Sequence, residues 1–323
     1  LYNTMKRLNF FAAICVFAVM PGFAQVSTGT SNTINLGPLL KKAYEKKATV
    51  VQTAAVTTPV AVEKAVDEIV LESDVDTNIP NTGVVNNDGI AVVIGNSQYQ
   101  KTKNVDFAVH DARAVKQYLM QAMGFKEGNI FYYENANKTD FEVLFGTKDF
   151  AEGKLYNAVK AERSDVFIFY AGHGAPDLRK NTGYFVPVEC DPQYIAISGY
   201  SSDVFFNNIS KIPAKSMTVV MDACFSGADI LEGVSPIGIE SKSFDNVTNG
   251  VMLSSSAGTQ VSSWYSEKNH GMFTYFFLKA MQDANADYNK DGQLTAREVY
   301  QYVADKADGV PYYARRYRSI EQT

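Results

Sequence analysis

An α/β fold, with a mostly parallel sheet and helices on both faces, is predicted by three observations. Short continuous apolar runs alternate with helix-period segments from residue 90 onward. Runs without polar alternation belong to strands buried on both faces, as in parallel sheets. The chain, 323 residues of which 46% are apolar, is long enough to bury such a core. In order, the elements are a strand IAVVIG (90–95), a helix from about Asp106 to Met123, a strand NIFYY (129–133), and a helix from about Thr139 to Lys160. There follow a strand DVFIFYAG (165–172), a helix near Ser201 to Asn208, strands MTVVMDA (217–223) and VMLSSSA (251–257), and a helix from Gly271 to Ala286. Two segments interrupt this alternation: TGYFVPVECDP (182–192), which reads as a hairpin arm, and a long Gly/Ser/Asn-containing connection over 226–250. Long excursions of that kind in compact domains are usually functional or mobile.

The residues ahead of Asp88 read differently. Met5-Lys6-Arg7, the apolar run Leu8–Met20 and the small residues up to Ala24 form the three regions of a signal peptide, with cleavage expected after Ala24. The run falls short of the roughly 20 apolar residues of a spanning helix, so no membrane association is expected once it is cut. Export, to a periplasm or the medium, is the expected localisation. Residues 25–87, rich in Thr, Val, Ala, Ser and Asn, read as a largely unstructured tether or pro-segment, leaving 88–323 as the folded domain. A net charge of −5 and the absence of a basic run argue against a nucleic-acid partner. Three cysteines are too few for a disulfide scaffold. Cys15 would leave with the signal peptide, and Cys190 and Cys224 would then be either bridged or functional in an oxidising compartment. No organic cofactor is expected.

In open parallel sheets, sites lie at the carboxyl ends of strands. DVFIFYAG runs directly into His173-Gly174, and MTVVMDA directly into Cys224. An imidazole and a thiol at neighbouring strand ends are what a cysteine hydrolase needs: the imidazole lowers the thiol pKa and later protonates a leaving amine. Glycines 172, 174 and 227 flank both groups, and the amides of Gly174 and Cys224 are the candidate oxyanion hole. Alone, each residue has a blander reading, since a Cys closing an apolar strand is more often a buried small hydrophobe. The pair at matching strand ends favours catalysis.

YAGHG (170–174) followed by DACFSG (222–227), about 50 residues between His and Cys, resembles the His and Cys boxes of the caspase-like cysteine peptidases, most of all their bacterial and metacaspase-type members. IGNSQY (94–99) and HGMFTYFF (270–277) extend the resemblance from Asp88 to the C-terminus. It implies a caspase-like three-layer sandwich and an endopeptidase acting on peptide or protein substrates, with Cys224 as nucleophile and His173 as acid/base. It further places Asp222 and Asp111 at the floor of the substrate pocket, where a carboxylate pair favours Arg or Lys at P1. Trp264 is a candidate groove residue. Self-cleavage at a lysine in the N-terminal segment or in 226–250, such as Lys242, would fit the same reading. The alternatives are a catalytically silent caspase-like binding domain, which a Cys190–Cys224 bridge would produce, and a calcium-binding adhesion module.

That last alternative rests on DYNKDGQLTARE (287–298). Asp287, Asn289, Asp291, the Gln293 carbonyl, Thr295 and Glu298 occupy positions 1, 3, 5, 7, 9 and 12 of an EF-hand loop, with Gly292 at the sharp turn. Bound Ca2+ is the expected cofactor. His110 and His270 read as structural, and no cluster suggests zinc.

Overall fold

The computed structural model describes residues 25–28, 73–177, 179–180, 182–223, 244, 246–255 and 264–321, with 25–28 and 317–321 as backbone alone. The chain enters as β1 (Gln25–Thr28) and α1 (Asp74–Thr77) before β2 (Ile90–Gly95), α2 (Ala108–Gln121) and β3 (Ile130–Glu134). Next come α3 (Lys138–Phe145), α4 (Lys154–Ala158), β4 (Asp165–Ala171), β5 (Gly174–Asp177) and β6 (Thr182–Phe185). After α5 (Ile195–Ser198), β7 (Tyr200–Ser201) and α6 (Ser202–Ile209), the sheet resumes with β8 (Ser216–Asp222) and β9 (Gly250–Ser254). The ribbon β10 (Trp264–Tyr265) and β11 (His270–Gly271) leads to α7 (Met272–Gln282), α8 (Ala296–Val303) and α9 (Val310–Glu321).

The main sheet has the order β1, β9, β8, β4, β2, β3; all its pairings are parallel except that of β1 with β9. The two-residue period of a strand explains why the runs are continuously apolar. In β4, Phe167 and Phe169 enter one core, with Ala91, Val93, Val220 and Leu253, beneath α2 and α7. Val166, Ile168 and Tyr170 enter the opposite core, with Val92, Ile94, Val219 and Met221, beneath α3 and α6. Each such fully buried side chain contributes about 1.5–3 kcal/mol, so a polar residue at any of these positions would break one layer. The predicted sandwich of helices around a parallel sheet is the observed architecture.

Three differences have physical causes. The helix expected over 139–160 is two helices, because Gly146 adopts φ +86 and its missing Cβ would lie 2.4 Å from the Phe150 carbonyl oxygen. The arm expected over 182–192 contributes β6 to a separate antiparallel sheet of order β5, β6, β7. The segment read as a tether supplies β1 and, through α1 and residues 78–87, a packed lead-in to β2. Burial of Val75 in the core beneath α2 and α7 and ionic pairing of Asp74 together dock α1. Asp74 accepts from Lys268 at 2.9 Å, Lys279 at 2.6 Å and the Tyr275 hydroxyl at 3.1 Å. No helix among the described residues is long and apolar enough to cross a membrane.

Burial alone would raise the Asp74 carboxyl pKa, but hydrogen bonds and charge from Lys279 and Lys268 outweigh it and hold the group well below the usual carboxylate range. Because the folded value is depressed, this stabilisation is complete above the unfolded value of about 4 and is lost as pH falls toward the folded one. Asp74→Asn is expected to cost about 1–2 kcal/mol at neutral pH, the hydrogen-bond range for charged groups reduced for partial solvent screening. Urea melts at two pH values check both parts, since the gap from wild type should narrow in acid.

Candidate active site

The parallel registers bring Gly95, Ala171 and Asp222 level at the carboxyl edge of the sheet. Beyond this line the chains turn into loops, and buried Asn96 stitches two of them: its amide donates to the Ala136 and Val186 carbonyls and its oxygen accepts from the Ala136 N–H. His173 follows Ala171 by two positions and is buried. Its backbone N–H donates to the Tyr99 hydroxyl at 2.8 Å, its carbonyl accepts from the Tyr170 hydroxyl at 2.6 Å, and its ring lies 4.7 Å from the Tyr99 ring. Imidazole Nε2 lies 2.8 Å from the Lys103 carbonyl oxygen. A carbonyl only accepts, so Nε2 carries the proton and the basic nitrogen of the neutral ring is Nδ1. Gly174 opens β5, directly after His173, and is buried. Cys224, one position beyond Ala223, lies outside the described residues, as does Lys242. Cys190 is a free, buried thiol 3.1 Å from the Ser198 hydroxyl.

Asp222 and Asp111, far apart in sequence, meet around Gly271. A Cβ at Gly271 would lie 2.3 Å from Asp222 Oδ2 and 3.0 Å from Asp111 Oδ2. Asp222 ends β8 at 8% exposure, and its Oδ2 accepts from the Thr274 amide and hydroxyl at 3.2 and 2.7 Å. Asp111, on α2 at 2% exposure, accepts from His270 Nδ1 at 2.6 Å and from the Gly271 amide at 3.0 Å. Burial pushes the Asp111 carboxyl upward; the His270 hydrogen bond opposes this and the Asp222 charge adds to it. Trp264 pairs in register with Gly271 and is 46% exposed.

The family model described as caspase domain matches residues 88–319. The chain belongs to the caspase-domain family. This is a family of cysteine peptidases, whose substrates are peptides and proteins. A crystal structure of caspase-1 from Spodoptera frugiperda is similar at 13% identity, covering 63% of this chain and 72% of that one, with a TM-score of 0.39. No curated protein matches the chain.

Within the caspase domain, the acidic loop at 287–298 lies between α7, followed by a short 3-10 turn, and α8. Asp287 accepts from the amides of Asp291 (3.2 Å) and Gly292 (2.8 Å), and Asn289 and Asp291 accept from the amides of Asp291 and Gln293 (both 2.8 Å). Glu298 closes the loop by accepting from the Thr295 amide and hydroxyl at 2.9 and 2.8 Å, forming the capping box of α8. Gly292 sits at φ +79, where the sharp turn requires it. Several residues that shape the caspase domain's edge have no local sequence signature. Tyr99 and Lys103 orient His173 from the loop after β2, and Thr274 and His270 hold the two aspartates. Only the position of Tyr99 in the IGNSQY motif, immediately after a strand, could have drawn attention to it. His110 and His270, read as structural, both reach Asp76, at 2.9 and 3.2 Å.

Proposed function

We propose that this caspase domain is an exported cysteine endopeptidase that cleaves after Arg or Lys with Cys224 as nucleophile and His173 as acid/base. The observation that carries the proposal is the fixed orientation of His173. Just beyond the end of β4, its Nε2 proton is committed to the Lys103 carbonyl of the loop after β2, while the adjacent parallel strand β8 leads within two residues to Cys224. The Cys224 thiol gives its proton to Nδ1, and the thiolate attacks the scissile carbonyl carbon. The amides of Gly174 and Cys224 stabilise the resulting oxyanion. His173 returns the proton to the departing amine, and water hydrolyses the thioester.

Convergence of Asp111 and Asp222 around Gly271 supports a basic P1 preference. Each carboxylate has about four lone-pair sites, so their intramolecular hydrogen bonds leave capacity for a guanidinium or ammonium. The loop at 287–298 presents an all-oxygen set, Asp287, Asn289, Asp291, the Gln293 carbonyl, Thr295 and Glu298, suited to Ca2+ rather than to a softer cation. A peptide library varied at P1 is expected to give hydrolysis after Arg and Lys and little elsewhere, with turnover responding to added calcium. Hydrolysis after Asp alone, or none after either basic residue with and without calcium, would reject the proposal.

A further inference from the structure

We propose that Asp76, His110 and His270 form a site for one divalent transition-metal ion of the zinc class. His110 comes from α2, His270 from β11 and Asp76 from α1. Their candidate ligand atoms all lie within 4.8 Å of one another, the only such group of three among the described residues. Asp76 Oδ2 is 2.9 Å from His110 Nε2, Asp76 Oδ1 is 3.2 Å from His270 Nε2, and the two rings are 4.6 Å apart. Tetrahedral zinc with bonds of about 2.0–2.1 Å needs ligand separations of about 3.3 Å; the two carboxylate–imidazole separations are near that value, and the third lies within 4.8 Å.

A second observation points independently to a ligand. His270 is fully buried, yet its Nε2 makes no hydrogen bond of good geometry; the Asp76 carboxylate stands 3.2 Å from it as an ion pair. A buried ring nitrogen whose hydrogen-bonding capacity is not well met is unusual, and a metal ion would meet it. Nδ1 of the same ring donates to Asp111 at 2.6 Å. Carboxylate, imidazole and metal in that sequence are how proteins fix the tautomer and orientation of a metal-binding histidine. His110 and Asp76 are 35% and 17% exposed, which gives an ion an entry path and a solvent molecule a place as fourth ligand. Two imidazoles and one carboxylate suit Zn2+, Co2+, Ni2+ or Cu2+ better than Ca2+ or Mg2+. The ion would displace any proton on His270 Nε2 and tie α1, which lies outside the matched caspase domain, to two elements within it.

The experiment uses the untagged, chelator-stripped chain carrying Cys224→Ala, so that the nucleophilic thiol is not a ligand, in excess calcium to occupy the acidic loop. Cobalt titration is expected to give the visible absorption of a tetrahedral centre, saturating at one equivalent and abolished by zinc, with a zinc-dependent rise in Tm. His110→Ala and Asp76→Ala should each weaken cobalt binding at least 10²-fold. Asp111→Asn should weaken it about 10-fold through the histidine it orients. Absence of a saturable cobalt spectrum, or unchanged affinity in both ligand variants, would overturn the proposal. Should a variant fail to fold, the stripped parent decides, since no zinc-dependent Tm shift also overturns it. None of these readouts depends on peptidase activity.

Discussion

Cys224→Ala is expected to reduce peptide hydrolysis to background, and His173→Ala to lower kcat by about 10²–10⁴-fold, the range for removing a positioned acid/base group. The two effects should not add. Without His173 the thiol is left mostly protonated, and without Cys224 the imidazole has no nucleophile to serve, so the double variant should resemble Cys224→Ala. Fold should survive both changes. His173 is held through its backbone, by the Tyr99 and Tyr170 hydroxyls, and those bonds persist when the ring is removed. Circular dichroism and melting temperature therefore separate loss of chemistry from loss of structure. If the enzyme trims itself, Cys224→Ala should stay full length while wild type shortens. A His173→Ala variant that hydrolyses substrate as wild type does would remove the dyad from the mechanism.

The layers of the fold were legible because burial on both sheet faces writes itself into sequence as unbroken apolar runs; the edge chemistry was legible because motifs sit where those runs stop. Local pattern fails where long-range polar contacts decide. Nothing in SDVDTN (73–78) marks it as part of a domain, since Asp74 and Asp76 find their partners on elements about 200 residues away or in an unrelated helix. His110 and His270 were each unremarkable at their positions, and only the packing of α2 against β11 makes them neighbours. Helix period continued through Gly146, and the break there reflects a left-handed backbone that the apolar pattern does not encode. The pairing of Asp111 with Asp222 came from the resemblance, whereas the residue that enforces their spacing, Gly271, was read only as the start of a helix.

Gly271→Ala should accordingly be among the most damaging single-methyl changes in the chain. The new Cβ would stand 2.3 Å from Asp222 Oδ2 and 3.0 Å from Asp111 Oδ2. Neither oxygen is the loose end of a flexible side chain: Thr274 holds the first by two hydrogen bonds, and His270 with the Gly271 amide holds the second carboxylate. Relief requires overpacking strain of about 1–3 kcal/mol or loss of charged hydrogen bonds worth about 1.5–3 kcal/mol each, so a net cost of about 2–4 kcal/mol is expected by chemical denaturation. Gly128→Ala is the matched control, since a Cβ there meets nothing within 4 Å and should shift stability by less than about 0.5 kcal/mol. Residual folded Gly271→Ala protein should also lose cleavage after Arg and Lys more than the stability loss accounts for, because the methyl separates the two carboxylates to which the proposal assigns P1 recognition. A destabilised variant that keeps its basic preference intact would show that the aspartate pair only braces β11 against β8, and the P1 assignment would fall while the dyad stood.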